Sequence, residues 1–321
     1  MTAGNLIIIG AGPAGLTAAQ YGARANLKVT VIEQLMPGGQ AANIDILENF
    51  PGNTEQLDSA GNVTAPPKSG YDFMMDLYRQ AQWFGAEFLF ASAESLIKEN
   101  NLFILKLAGG EEVTAAAVII AAGAKPRLLG IPGEKEFSGK GVSWCAACDG
   151  SFFKNKKILV VGGGDAACDE ARYLSRLTDR VVLIHRRDSF RAQKALALRT
   201  MNNPNIEVRF NTAINEIKGS AAHDKVGSAV LRNTKNGDIY EEETDAVFIF
   251  AGTEPQSSLV RGFNAVLDAN GYIITDQKMS TNVAGLFAAG DIRSGVFRQV
   301  ITAAADGAVA AFNAAGYLDE I

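Results

Sequence analysis

The stretch Leu6-Ile7-Ile8-Ile9-Gly10-Ala11-Gly12-Pro13-Ala14-Gly15 runs from a short apolar segment straight into a Gly-x-Gly-x-x-Gly turn, and an alanine-rich segment to about Arg24 follows. Strand, glycine turn and helix in that order form the context in which this fingerprint binds a dinucleotide. Gly10 makes the tight turn, Gly12 lets the backbone approach a pyrophosphate, and Gly15 lets helix and strand pack closely. Backbone N–H groups at the helix start then face the phosphates. Residues 28–32 read as the second strand, and Glu33 at its end is placed to accept hydrogen bonds from an adenosine ribose diol.

The device recurs once. Residues 157–161 read as a strand that enters Gly162-Gly163-Gly164-Asp165-Ala166-Ala167, a Gly-x-Gly-x-x-Ala with Ala167 at the third packing position. A helix over 166–177 and a strand over 181–184 complete the second β-α-β start. His185 stands at the same offset from Gly162 as Glu33 from Gly10, and Arg186, Arg187 and Arg191 follow it. A carboxylate there would repel a ribose 2′-phosphate, whereas arginines bind one through charge-assisted hydrogen bonds. The two loops therefore take different nucleotides: the first fits FAD, the second NADPH.

Segments at 87–91, 102–107 and 113–120 read as strands, the last ending in Ala121-Ala122-Gly123-Ala124 before Lys125-Pro126. The apolar run at 244–253 mirrors that ending. Two such exits place the second nucleotide unit inside the first. The expected fold is α/β, with two Rossmann-like, three-layer nucleotide-binding domains: 1–125 with 254–321, and 126–253 inserted between them. A strand at 285–291 ends in Asp291, and Arg298-Gln299-Val300 opens an alanine-rich helix to about 315. Residues 53–70, polar and carrying Pro66-Pro67, read as an exposed excursion. In the helix predicted over 71–84, Phe73, Met74, Leu77 and Trp83 fall at core spacing.

Ser143-Trp144-Cys145-Ala146-Ala147-Cys148-Asp149-Gly150 sets two thiols three positions apart with a carboxylate beside the second. Such a pair closes into a small disulfide ring and reopens, and the spacing favours a thiolate. A zinc site needs four ligands, and Cys168, His185 and His223 offer no paired spacing. A thioredoxin-type active site opens a helix with its Cys-x-x-Cys, whereas Asp149-Gly150 reads as a turn. Cys168 reads as a core residue. His185 leans on the adenine or ribose or is satisfied locally, and His223 is solvent-exposed.

At 321 residues and 47% hydrophobic content the chain fills two cores. Its net charge of −5 gives no cationic footprint for nucleic acid. The apolar runs are too short to span a membrane, and the first five residues lack the basic start of a secretory signal. A soluble, cytoplasmic protein is the expectation, and a lone adjacent cysteine pair in a reducing compartment is more often catalytic than structural.

Taken together, these residues resemble the low-molecular-weight thioredoxin reductases of bacterial type, over nearly the whole chain and with the motifs in order. The resemblance implies FAD contacts from Gly10, Gly12, Gly15, Glu33, Gln40 of the Gly-Gly-Gln turn, Asn49 before Phe-Pro-Gly, Asp291, Arg298 and Gln299. It implies NADPH contacts from Gly162, Gly164, Asp165, Ala167, Arg186, Arg187 and Arg191. Cys145, Cys148 and Asp149 match the family's Cys-Ala-x-Cys-Asp. The activity implied is electron transfer from NADPH through FAD to that disulfide and on to thioredoxin or a thioredoxin-like disulfide protein. Cys148 would face the flavin, Cys145 would attack the partner, and Asp149 would act as general acid/base. The resemblance also implies a homodimer, and a nicotinamide domain that rotates about linkers near Lys125 and Thr253. Ala122 and Ala166 stand where relatives commonly carry hydroxyl residues, and the 53–70 excursion is longer than usual. Two alternatives remain: a relative reducing another disulfide carrier or oxygen, and a non-catalytic flavin/nucleotide redox sensor. The sensor would not need Asp149 beside the thiols, and would usually need an output module for which no residues are left.

Overall fold

The structure, a computed structural model, describes residues 5–44, 46–220, 224–295 and 297–321. The exposure expected of His223 lies outside the described residues, as do residues 1–4. The chain divides into two compact units, Met1–Lys125 with Glu254–Ile321, and Pro126–Thr253.

In the first unit five parallel strands line up in the order Leu286–Ala288, Ala117–Ile120, Asn5–Ile9, Lys28–Glu33, Glu87–Phe90. Successive side chains of a strand point to opposite faces, and a parallel sheet covered on both sides needs apolar residues at every position. This accounts for the unbroken Leu6–Ile9 run. Leu6 and Ile8 pack with Leu16, Met74 and Ala310 on the helical face, which carries Pro13–Arg24, Gly70–Trp83 and Val300–Glu320. Ile7 and Ile9 pack with Phe103, Leu105 and Ile120 beneath a three-stranded antiparallel sheet of Ala93–Glu99, Leu102–Leu107 and Glu112–Ala115. Each of these buried side chains larger than alanine contributes roughly 1.5–3 kcal/mol. Helices Pro13–Arg24 and Val300–Glu320 meet through small residues: a Cβ on Gly307 would stand 2.1 Å from the Ala14 carbonyl oxygen.

The second unit repeats the scheme, with parallel strands in the order Val142–Ser143, Ala246–Phe250, Ile158–Gly162, Val181–His185, Ile206–Phe210. Helices Asp165–Leu174 and Lys194–Met201 belong to this unit, as does a second antiparallel sheet of Thr212–Gly219, Val226–Asn233 and Ile239–Glu243. In both units a short edge strand of the parallel sheet leads to a polar group beyond its C-terminal end. Leu286–Ala288 leads to Asp291, and Val142–Ser143 leads to Cys145.

Several expectations need correction. The strand read over 113–120 is two, Glu112–Ala115 in the antiparallel layer and Ala117–Ile120 in the parallel one, because the chain changes layer at Ala116 without a break in apolar character. Trp83 is 86% exposed, not core. Successive residues turn about 100°, which puts Trp83 on the opposite side of its helix from the fully buried Met74. The helix read over 166–177 spans Asp165–Leu174, and the last helix continues to Glu320. The excursion carries a short exposed hairpin, Gln56–Leu57 with Val63–Ala65, but it is closed at its base by a buried residue. The Asn53 amide donates to the Leu47 and Lys68 carbonyls, at 2.7 and 3.1 Å, and its oxygen accepts the Lys68 N–H at 3.0 Å. No described helix is long and apolar enough to cross a membrane.

Candidate functional site

The first glycine loop is shaped by sterics. Gly10 has φ +102°, and a Cβ there would meet the Ala121 carbonyl oxygen at 2.5 Å. A Cβ on Gly15 would stand 1.8 Å from the Gly10 carbonyl oxygen, so helix and strand approach as closely as only glycine permits. Gly12 is different: a Cβ there would meet nothing within 4 Å. Gly12 is also the N-cap of helix Pro13–Arg24, and no side chain caps that end. Uncapped N–H groups beside open space are what a dinucleotide pyrophosphate requires. Glu33 is held beside the loop, its carboxylate accepting the N–H groups of Ala11 at 2.8 Å and Leu35 at 3.0 Å. Each oxygen keeps a further lone pair for a ribose hydroxyl.

Other segments of the first unit converge on this loop. The Gly38 N–H donates to the Ala11 carbonyl at 2.7 Å, and the Gln40 side chain donates to the Ala124 carbonyl. Asn49 donates to the Gln299 side chain at 2.9 Å across most of the chain's length. Gln299 is the N-cap of the last helix and shares a reciprocal capping box with Thr302. Gly290, at φ +78°, lies against Ala14, so the turn that presents Asp291 rests on the start of the loop's helix. Asp306 holds that turn: it accepts the Gly290 N–H at 3.2 Å and an Arg293 N–H at 2.6 Å. Burial pushes the Asp291 carboxyl up, the Arg298 guanidinium works against the rise, and Asp306 adds to it. Among the described residues the Asp291 carboxylate takes no hydrogen bond, leaving an acceptor for a ligand hydroxyl.

In the second unit a Cβ on Gly162 would meet the Phe250 carbonyl oxygen and the Ala167 Cβ, both at 2.6 Å, while Gly164 again faces open space within 4 Å. Ala167 is 1% exposed, filling its packing position. Asp165 holds a loop: its carboxylate accepts the Gln193 N–H at 2.7 Å and the Gln193 side-chain amide at 3.1 Å. The Arg191 N–H donates to the Gly163 carbonyl at 2.7 Å. These bonds bring the exposed Arg191 to the glycine loop, and Arg186 and Arg187, also exposed, follow directly on His185. His185 is buried with its ring against Gly163, stacked on Phe190 at 6.2 Å, and its Nε2 has no partner among the described residues. Burial, with Arg191, Arg187 and Arg186 adding to it, keeps its pKa below the usual histidine range, so the imidazole is neutral at pH 7.

Cys145 and Cys148 are joined in a disulfide with Cα atoms 5.4 Å apart. Buried Ser143 sets the approach, its Oγ accepting the Cys145 N–H at 3.0 Å and donating to the Cys145 carbonyl at 3.2 Å. Here the expected turn is corrected, since the pair does open a helix, one turn long, over Ala146–Asp149, followed by a 3-10 turn at Gly150–Phe153. The Cys145 sulfur serves as the N-cap, accepting the Cys148 N–H at 3.2 Å. Gly150 has helical dihedrals, and what favours glycine there is contact: a Cβ would stand 2.9 Å from a Leu174 methyl, 3.2 Å from Leu177 and 3.3 Å from Tyr173. Cys145 is half-buried, Cys148 exposed, and Asp149 half-buried on the next position. Cys168 is buried and apart from this pair, its thiol pushed up to about 11 chiefly by burial. Ser143, Thr302 and Asp306 hold candidate site residues or the turn that presents one, yet no motif or spacing marks them in the sequence.

Residues 4–307 match the family described as pyridine nucleotide-disulphide oxidoreductase. The chain is 49% identical over 317 residues to the thioredoxin reductase of Treponema pallidum (strain Nichols), covering 99% of this chain and 98% of that one. It is 42% identical to the thioredoxin reductase of Bacillus subtilis (strain 168), covering 99% and 95%. Among solved structures, Lactococcus lactis thioredoxin reductase (FR conformation) superposes with a TM-score of 0.92 at 37% identity, covering 99% and 100%. The T. acidophilum thioredoxin reductase superposes at 0.89 with 30% identity, covering 100% and 99%.

Proposed function

The chain belongs to the pyridine nucleotide-disulphide oxidoreductase family, and from that membership we propose that it is a thioredoxin-disulfide reductase, passing electrons from NADPH through FAD and the Cys145–Cys148 disulfide to thioredoxin or a thioredoxin-like protein. What carries this reading is the disulfide itself, with Cys145 at a helix N-cap and Asp149 beside Cys148. Bound FAD supplies the means of taking electrons in a pair from a nicotinamide and giving them to a disulfide.

The unit Met1–Lys125 with Glu254–Ile321 holds FAD. Gly10, Gly12 and Gly15 shape the pyrophosphate cradle, Glu33 accepts from the ribose, and Asp291 accepts from a polyol hydroxyl. Gln40, Asn49, Arg298 and Gln299 complete the site. The unit Pro126–Thr253 holds NADPH: Gly162, Gly164 and Ala167 shape the loop, Asp165 fixes the segment over it, and Arg186, Arg187 and Arg191 take the 2′-phosphate. The protein is a homodimer and works in the cytoplasm.

Two electrons and two protons open the Cys145–Cys148 bond to a dithiol. The Cys145 thiolate, favoured by the Cys148 N–H aimed at its sulfur, attacks one sulfur of the partner's disulfide. A mixed disulfide forms, and the partner's second sulfur leaves as a thiolate that Asp149 protonates. Cys148 then attacks the Cys145 sulfur, releasing the partner's dithiol and restoring the starting disulfide.

The test is NADPH consumption with oxidised thioredoxin and with oxygen alone, for the wild type and Cys148→Ser. Thioredoxin-dependent turnover that vanishes in the variant, with NADPH-driven bleaching of the flavin retained, is the expected result. Thioredoxin reduction by Cys148→Ser would refute the assignment, and equal consumption with oxygen alone would favour an oxidase.

A further inference from the structure

Tyr272 belongs to none of the motifs above, yet it lies under one of their arginines. We propose that Tyr272 is a positioning residue for the flavin site, acting through Arg298; the proposal rests on the assignment of Arg298 to that site. The Arg298 guanidinium carbon stands 4.0 Å from the centre of the Tyr272 ring. The ring is 6% exposed. Arg298 Nε is buried without a partner among the described residues, and the guanidinium donates one long bond, 3.4 Å, to the Arg293 carbonyl. A group with five N–H donors thus rests on an aromatic face between the charges of Asp291 and Asp268, and its attraction to the ring strengthens when water is excluded.

The ring itself is fixed by a turn. The Tyr272 N–H donates to Asp268 Oδ1 at 3.0 Å, the Tyr272 carbonyl accepts the Asp268 N–H at 2.9 Å, and Ser294 Oγ donates to Asp268 Oδ2 at 2.9 Å. Ser294 lies just beyond the Gly290–Ile292 turn that presents Asp291. One carboxylate thus ties the tyrosine turn to the segment carrying Asp291, while the ring holds the cation that faces Asp291. Remove the ring, and the long, flexible arginine side chain loses the surface that selects its orientation.

The experiment measures FAD affinity of the apoprotein by flavin fluorescence quenching, with the flavin midpoint potential and apoprotein melting as companions. It compares wild type, Tyr272→Leu, Tyr272→Phe, Arg298→Met and the double variant Tyr272→Leu/Arg298→Met. Loss of a desolvated cation–π contact weakens FAD binding about tenfold or somewhat more in Tyr272→Leu, while Tyr272→Phe stays within about twofold of wild type. The double variant binds no more weakly than Arg298→Met alone, and the midpoint potentials of those two agree. Additive losses in the double variant, an unchanged Tyr272→Leu, or a Tyr272→Phe as weak as Tyr272→Leu each overturn the proposal. If Arg298→Met keeps wild-type affinity, the flavin-site assignment falls as well; additive losses with a weakened Arg298→Met sink the Tyr272 step alone. Tyr272→Met replaces the leucine variant if that chain does not fold.

Discussion

Two alanine substitutions three residues apart, Gly12→Ala and Gly15→Ala, should do opposite things to the first unit. At Gly15 the added methyl carbon would lie 1.8 Å from the Gly10 carbonyl oxygen. Ordinary contact begins near about 3.4 Å, so strand and helix would have to separate by roughly 1.5 Å in a close-packed interior, at a cost of about 3 kcal/mol or more. The apoprotein should then melt roughly 6–12 °C lower. Gly12 has φ −76° and ψ −172°, which alanine adopts freely, and its methyl would meet no protein atom within 4 Å. Apoprotein stability should hold, or rise by up to about 1 kcal/mol because alanine narrows the unfolded ensemble. The methyl would instead occupy the space facing the uncapped helix start. Overpacking against a bound pyrophosphate costs about 1–3 kcal/mol, which weakens FAD roughly 5- to 150-fold. Thermal melting of both apoproteins and a FAD titration of each check this. Wild-type FAD affinity in Gly12→Ala, or an apoprotein as unstable as Gly15→Ala, would refute the reasoning.

Gly164→Ala, also free of protein contacts within 4 Å, should raise the Michaelis constant for NADPH about tenfold or more and leave FAD affinity unchanged, as steady-state kinetics and flavin titration would reveal. Arg186→Ala with Arg187→Ala should raise the constant for NADPH by at least about tenfold and barely change that for NADH; equal effects would remove the 2′-phosphate from the account. Cys168 ionises in the unfolded chain near 9.0 but in the folded chain near about 11, so its contribution to stability is full below pH 9 and fades as pH rises through 11. Urea unfolding should show this alkaline loss in the wild type and a flatter limb in Cys168→Ala. Alkylation of the reduced, folded protein at pH 8 should mark Cys145 and Cys148 and spare Cys168 until urea is added.

What could be read from the sequence was set by local sterics. Gly15 is blocked by the Gly10 carbonyl within one turn, Gly10 by Ala121 on the neighbouring strand, Gly162 by Ala167, and a run such as Leu6–Ile9 needs only to be covered on both faces. These constraints close within a few residues or one strand spacing, so they leave a pattern in the chain. The structure departs from the sequence reading where a distant contact decides the outcome. Gly150 reads as a turn residue because nothing nearby announces Leu174, and the Cys145 sulfur acts as a cap that composition does not register. Trp83 shares core spacing with Phe73 and Leu77 only if the side of the helix is ignored. Nothing in the sequence marks the partners of Asp165 and Asp306, because Gln193, Arg293 and Gly290 are brought to them only by folding. The Asn49–Gln299 bond joins two ends of the chain that share no pattern.

The most direct test of the central claim is an anaerobic titration of the purified flavoprotein with NADPH, followed by flavin absorbance and by alkylation of Cys145 and Cys148. The account predicts that one equivalent of NADPH opens the disulfide and a second bleaches the flavin, with both cysteines alkylated at the end. Bleaching complete after a single equivalent, with Cys145 and Cys148 still protected from alkylation, would contradict it.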